Sequence, residues 1–244
     1  MRLLPALVLT AVSSLAIARP PPGPRPPPAR PATLTVTGEA QVSQAPDRVY
    51  IDIGVTTQAQ RSQDATTQNA ARISAVVAAV RRVSGASAQL TTTDYSVSPS
   101  YHYPRGGGTP TIAGYTASNV VRVRLDDLTR IGRVIDAATE AGSNNVRDIR
   151  FALRDEQAAR NEALRKAALN ARQDAQALIE ALDLRLVRIL SVSEQSPEVA
   201  PGPIYAQVTE ARMAAAAPAT PVEAGTLEVN ATVTLTVEVA PAQR

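Results

Sequence analysis

The chain has no cysteine and no tryptophan, and it carries one histidine, His102, and one phenylalanine. Each shortage excludes something. Without cysteine there is no disulfide, no thiolate zinc site, no iron–sulfur cluster and no thiol nucleophile. One imidazole cannot build a multi-histidine metal site. Aromatic residues make up 3% of the chain and its formal net charge is +3, with the arginines scattered. A nucleic-acid surface needs basic residues grouped and interleaved with aromatics, so no nucleic-acid partner is expected. Lys166 is the sole lysine. The arginine bias favours phosphate and carboxylate recognition, but composition alone, with abundant Ala and Val, accounts for it.

The first eighteen residues, MRLLPALVLTAVSSLAIA, have the form of a secretory signal peptide (1–18): Arg2, an apolar run from Leu3 to Leu15, then Ala16-Ile17-Ala18. That run falls short of the roughly 20 residues a bilayer span needs, and no later stretch could cross a membrane, so no membrane span is expected in the mature chain. Export to a periplasm follows. Residues 19–32, opening RPPPGPRPPPARP, are dominated by proline, which removes backbone donors and favours an extended, stiff tether.

The body, residues 33–240, mixes two periodicities. TLTVTGEAQV alternates apolar and polar residues, Ala45-Pro46-Asp47 reads as a turn, and Val49, Ile51, Ile53 and Val55 fall on one face of a second strand. Apolar spacing then lengthens to 3–4 from Ser62 to Val83, the stripe of an amphipathic helix, with Gly85 placed to end it. Two β-rich runs follow, QLTTTDYSVSP and GYTASNVVRVRL. Asp126 is placed to cap a short helix through about Ala141, ahead of the strand NVRDIRFALR. Asp155 caps the longest helix, with an expected seam of Leu164, Ala168, Ala171, Ala175, Leu178 and Leu182. The strand LRLVRILSVSE and a Pro/Ala-rich segment at 197–224, expected to be mobile, precede a last strand in which every odd position from Leu227 to Val239 is apolar. The order ββαββαβαββ lacks a βαβ rhythm. The expected class is α+β: an antiparallel or mixed β-sheet packed on one face by about three helices.

Five segments in order carry a family resemblance: TLTVTGEAQVSQAPDRVYIDIGV, TTTDYSVSPSYHY, IAGYTASNVVRVRLDDL, IRFALRD with EALRKAALNARQDAQALIEAL, and PVEAGTLEVNATVTLTVEV. Together they resemble the SIMPL-domain family of bacterial periplasmic proteins, of the periplasmic immunogenic protein type. Gly114-Tyr115 and Ser118-Asn119 resemble its most recognisable signature. Near Asp174 the family commonly carries a lysine, and where a glycine would usually follow the long helix Asp183 stands in its place. The resemblance implies an exported α+β protein without established enzymatic activity, linked to envelope and oxidative stress. It further implies self-assembly into ring-like oligomers, or a protein partner in the envelope. It brings no cofactor, metal or catalytic residue.

Chemistry-bearing candidates are few. SYHYPRGGGTPTIAGY, residues 100–115, lacks the Gly-Lys-Ser/Thr ending of a phosphate loop and joins two alternating strands, as a hairpin tip does. His102 with Ser98 or Ser100 could seed a hydrolase triad, but no Gly-x-Ser-x-Gly elbow occurs. Asp126-Asp127 suit a helix start, and Asp47 suits the turn. Tyr101, His102, Tyr103 and Tyr115, with Tyr95, are instead read as an interaction hairpin whose rings offer apolar faces with polar tips. The leading expectation is a contact protein without chemistry. The alternatives are a monomeric module holding a peptide or small ligand along a strand edge, and more remotely a hydrolase using His102.

Overall fold

The computed structural model describes residues 31–201, 220 and 222–242. The expected signal peptide, nearly all of the expected tether, and residues 202–219 and 221 of the Pro/Ala-rich segment lie outside these. Seven strands and three helices follow one another in the anticipated order: β1 (Thr33–Gln44), β2 (Arg48–Ala59), α1 (Ser62–Ser84), β3 (Gln89–His102), β4 (Thr111–Leu125), α2 (Ile131–Glu140), β5 (Asn145–Ala152), α3 (Glu156–Ala181), β6 (Leu184–Pro201) and β7 (Leu227–Pro241). The class is α+β and every strand pair is antiparallel.

The strands divide between two sheets, a three-stranded one in the order β1-β7-β6 and a four-stranded one in the order β3-β4-β2-β5. The turn at Pro46 is where they part. β1 pairs along its whole length with β7, whereas β2 lies between β4 and β5. Ala45-Pro46-Asp47 therefore moves the chain from one sheet to the other rather than closing a hairpin. Asp47 fastens this corner to the end of β5, its backbone N–H donating to Ala152 O at 3.3 Å and its carboxylate accepting from Arg154 N at 2.7 Å.

In the four-stranded sheet, Val49, Ile51, Ile53 and Val55 are fully buried under Ile73, Val76 and Val80 of α1 and Ile131, Val134 and Ala138 of α2. Burying such a side chain contributes about 1.5–3 kcal/mol. Asn69 of α1 is also fully buried, and its Nδ2 donates to Val55 O at 2.8 Å and Ala117 O at 3.1 Å, bridging two strands. The short helix begins later than anticipated: Asp127, not Asp126, caps a 3-10 turn at Leu128–Arg130, and the α-helix starts at Ile131.

In the three-stranded sheet the odd positions of β7, Leu227 to Val239, are all buried, as the alternation foretold. They meet α3, but along a different seam from the one expected. The buried line is Ala159, Ala163, Ala167, Ala171, Ala175 and Ile179, while Leu178 and Leu182 are 42% and 58% exposed. Neighbouring strands are rotated against each other, and the helix meets them along an i, i+4 ridge, which lies oblique to its axis, instead of along an alternating 3–4 seam. A ridge of alanines is low enough for backbones to touch. They do so at Gly38 of β1, where any Cβ would overlap the backbone of Ala167 and Ala171. Asp155 caps α3 as expected, accepting from Ala158 N at 2.9 Å. Beyond its end Asp183 takes φ 52°, the left-handed conformation a glycine would supply.

Of segment 197–224, residues 197–201 continue β6 against β7. Near the other end, Thr220 donates to Asp136 Oδ1 at 2.7 Å and Val222 packs on the first core.

Gly38→Val is expected to cost about 3 kcal/mol, since α3 must lift off β1. Gly106→Ala, with open space around it, should stay within about 0.5 kcal/mol. Urea denaturation of both variants checks this; equal stability would mean that the helix does not rest on Gly38.

Candidate interaction surfaces

β3 and β4 form a hairpin longer than the sheet that carries it. Their pairing runs from Gln89↔Arg124 to His102↔Thr111, but β2 accompanies β4 only as far as Ala59↔Tyr115. Past Tyr115 the hairpin is a free two-stranded arm. Gly114 is needed where the arm leaves, because a Cβ there would lie 2.9 Å from Ala59 O. The stretch 103–110 is its tip, turning through Gly107 and Gly108 with φ 77° and 142°.

Register assigns the arm's side chains to two faces. Tyr95, Val97, Pro99 and Tyr101 share the side facing α1 with Tyr115 and Ile112. β3 is the sheet edge, which tolerates Pro99. The helix does not reach these residues: Tyr95 is 57%, Tyr101 49% and Ile112 53% exposed, while Tyr115 is half-buried. Tyr103, at the tip, is 70% exposed. Ser96, Ser98, Ser100 and His102 take the opposite side. Of the hairpin residues singled out from sequence, Tyr101 and Tyr115 thus share a face, His102 lies across from them, and Tyr103 belongs to the tip.

This placement also bears on the triad. Ser100 Oγ is 3.0 Å from Thr116 Oγ1, and His102 is exposed with no hydrogen bond or ion pair to a serine or carboxylate among the described residues. Asp126 and Asp127, adjacent in sequence, do not converge. Asp127 accepts from Thr129 and Arg130 at the helix start, and Asp126 accepts from Arg48 at 2.8 Å. No group of three His, Asp or Glu side chains that could hold a metal occurs among the described residues. Nor is any described helix long and apolar enough to cross a membrane.

The helix-free face of the four-stranded sheet is charged. Arg122 grips Asp52 through two hydrogen bonds of 2.7 Å, Arg147 reaches Asp94 at 3.2 Å, and Arg150 lies 4.9 Å over the Tyr50 ring. The bonded Arg122 guanidinium holds the Asp52 carboxyl below its ordinary value of 3.8, against the opposing effect of burial. Arg48 does the same for Asp126. Arg122–Asp52 and Arg150–Tyr50 tie neighbouring strands together, and Arg147–Asp94 spans from β5 to β3 across a wet surface.

Two further concavities border the sheets. A cleft of about 470 Å³ lies between α1 and the β3–β4 pair, lined by Ile73, Val77, Arg81, Thr92 and Asn119; Asn119 Oδ1 is buried without a hydrogen-bond partner. A narrower groove of about 310 Å³ separates α3 from β6. Sequence reading placed a strand at β6 but gave its side chains no interaction role. Its apolar residues Leu186, Val187, Ile189, Leu190 and Val192 follow no period of two, and all are exposed. That broken alternation was the available signal.

The pattern of the SIMPL family, described as a protein of unknown function (DUF541), matches residues 34–237. The "26 kDa periplasmic immunogenic protein" of Brucella melitensis is 31% identical over 215 residues, covering 86% of this chain and 86% of that protein. The same-named protein of Brucella abortus matches equally. The "Uncharacterized protein YggE" of Escherichia coli is 25% identical over 171 residues, 70% of this chain and 69% of that one.

The paired carboxyls set an acid limit. Asp52 and Asp126 titrate lower in the folded chain than when unfolded, so their contribution is complete above the unfolded pKa of about 3.9. It is lost as pH falls through the folded values. The urea midpoint is therefore expected to drop below about pH 4, and Asp52→Asn should flatten that drop while lowering stability at pH 7. An unaltered pH profile in Asp52→Asn would remove the pair from the account.

Proposed function

The chain belongs to the SIMPL family, and from that premise we propose that it is an exported periplasmic protein that works by contact, self-assembling and supporting the envelope under oxidative or envelope stress. The observation that carries this reading is the arm: a hairpin with an apolar, Tyr-rich face that is left exposed among the described residues. Exposed apolar faces of this kind mark association sites. Tyr101, Tyr103 and Ile112 are the contact residues, with Tyr115 anchoring the base where the arm meets β2. The periplasmic location draws on the signal-like amino terminus and on the names of the Brucella relatives. His102 has no role in chemistry.

One observation favours a second reading. The cleft beside α1 joins an apolar wall to Arg81 and Asn119, a lining suited to a small ligand or peptide with an anionic group. On this reading the protein is a monomeric binding module.

Light scattering of the exported chain at micromolar concentration separates the two. Assembly predicts a mass several times that of one chain, falling in the triple variant Tyr101→Ser/Tyr103→Ser/Ile112→Ser while circular dichroism and the urea midpoint are retained. A monomer under all conditions would refute self-assembly. A strain lacking the protein is expected to lose peroxide tolerance, with the His102→Ala chain restoring it fully; failure of His102→Ala alone would return attention to chemistry at the arm.

A further inference from the structure

β6 is an edge strand of eighteen residues with nothing paired to its outer side among the described residues. Long apolar edges are ready templates for pairing, and bulges commonly blunt them. Here the bulges do something else. Val187 and Leu190 are the extra residues at two register shifts, so Leu186, Ile189 and Val192 stand opposite Val239, Val237 and Leu235, all on the side of α3. The helix covers β1 and β7 and stops short of this stripe. The groove between them is floored by Leu235 and Val237, with Arg172, Gln176 and Glu180 along its helical rim.

We infer that a second copy of this chain fills the groove, β6 pairing antiparallel with β6 about a two-fold axis at Ile189. The inference rests on the self-association proposed above and names a surface for it other than the arm. Two features make the surface complementary to itself, as a closed two-fold interface requires. Leu186 and Val192 are each three residues from Ile189, so each faces the other across the axis. α3 runs antiparallel to β6, which sets Glu180 near Leu186 and Arg172 toward Val192. Both are exposed and lie four residues either side of Gln176. The two-fold therefore brings Arg172 of each copy against Glu180 of the other. Within one copy, among the described residues, Arg172 has no ion-pair partner and the Glu180 carboxylate accepts from Gln176 at 3.0 Å and from no cation. An unrelated extended peptide would cover the stripe but leave this charged rim unmatched. The product is one six-stranded sheet carrying two antiparallel helices on the same face.

A chain without cysteine makes the test direct. Ile189→Cys in the exported chain should give a covalent dimer under mild oxidation, because the axis places this residue opposite itself, whereas Gly106→Cys at the arm tip should give little. Arg172→Glu should weaken the dimer about tenfold, as repulsion replaces two rim pairs of modest strength. Arg172→Glu/Glu180→Arg should restore it. Ile189 is 57% exposed, so Ile189→Glu leaves the fold intact by circular dichroism and should reduce the assembly's mass. If the unaltered chain is monomeric, self-association and this interface fall together. If it assembles but Ile189→Cys does not cross-link and Ile189→Glu leaves the mass unchanged, the β6 interface alone is overturned.

Discussion

Backbone contact between α3 and β1 at Gly38 decides where the long helix lies, and through that which strand goes bare. A side chain at Gly38 would collide with Ala167 and Ala171, so this one position admits a helix at close range. The alanine ridge accepts the invitation, because Ala159, Ala163, Ala167, Ala171 and Ala175 hold no bulk between helix and sheet. Seated over β1 and β7, the helix cannot also cover β6, the third strand of the three-stranded sheet. The exposed Leu186, Ile189 and Val192 follow from that seat, not from any weakness of local packing. Deep burial on one side and open apolar surface on the other come from a single steric choice.

The second sheet repeats the division by other means. α1 and α2 cover the β2 end of the apolar face, and among the described residues nothing roofs the part of the β3–β4 pair that outruns β2. Its reverse side is held by ion pairs in water, Asp52–Arg122 foremost. Among the buried polar side chains, Asn69, Thr57 and Ser143 each satisfy a main-chain carbonyl. The ionisable groups hold strands together, and the available apolar surface lies outside.

Periodicity and residue type placed the strands and helices in order, most plainly where one face is buried against a partner of matching period. β7 was the plainest case, with its odd positions all buried. The cap at Asp155 was legible from its place ahead of the helical run, and the left-handed turn at Asp183 from the family resemblance, in which a glycine usually follows the helix. What escaped was tertiary. The division into two sheets depends on which strands pair across the chain, and a Pro-Asp turn looks alike whether it closes a hairpin or turns a corner. The α3 seam was misplaced because leucines drew the line, while the partner surface, lowered at Gly38, selected alanines. At the candidate surfaces, the tyrosines of the hairpin were visible from their grouping. Their faces were not, since the bulges near Thr93 and Ala113 reset the alternation. β6 hid for a similar cause: two bulges brought residues three apart onto one side.

The strand in the middle of the smaller sheet is synthesised after both of its neighbours. β7 joins β1, near the beginning of the body, to β6, so neither neighbour has its partner until residues 227–241 exist. A chain threaded amino end first across a membrane would hold two strand edges and the underside of α3 open throughout its passage. Closure of that half must wait for the carboxyl end, and contacts so distant along the chain form slowly. During that interval the bare edges are open to capture, by a chaperone or by another nascent chain.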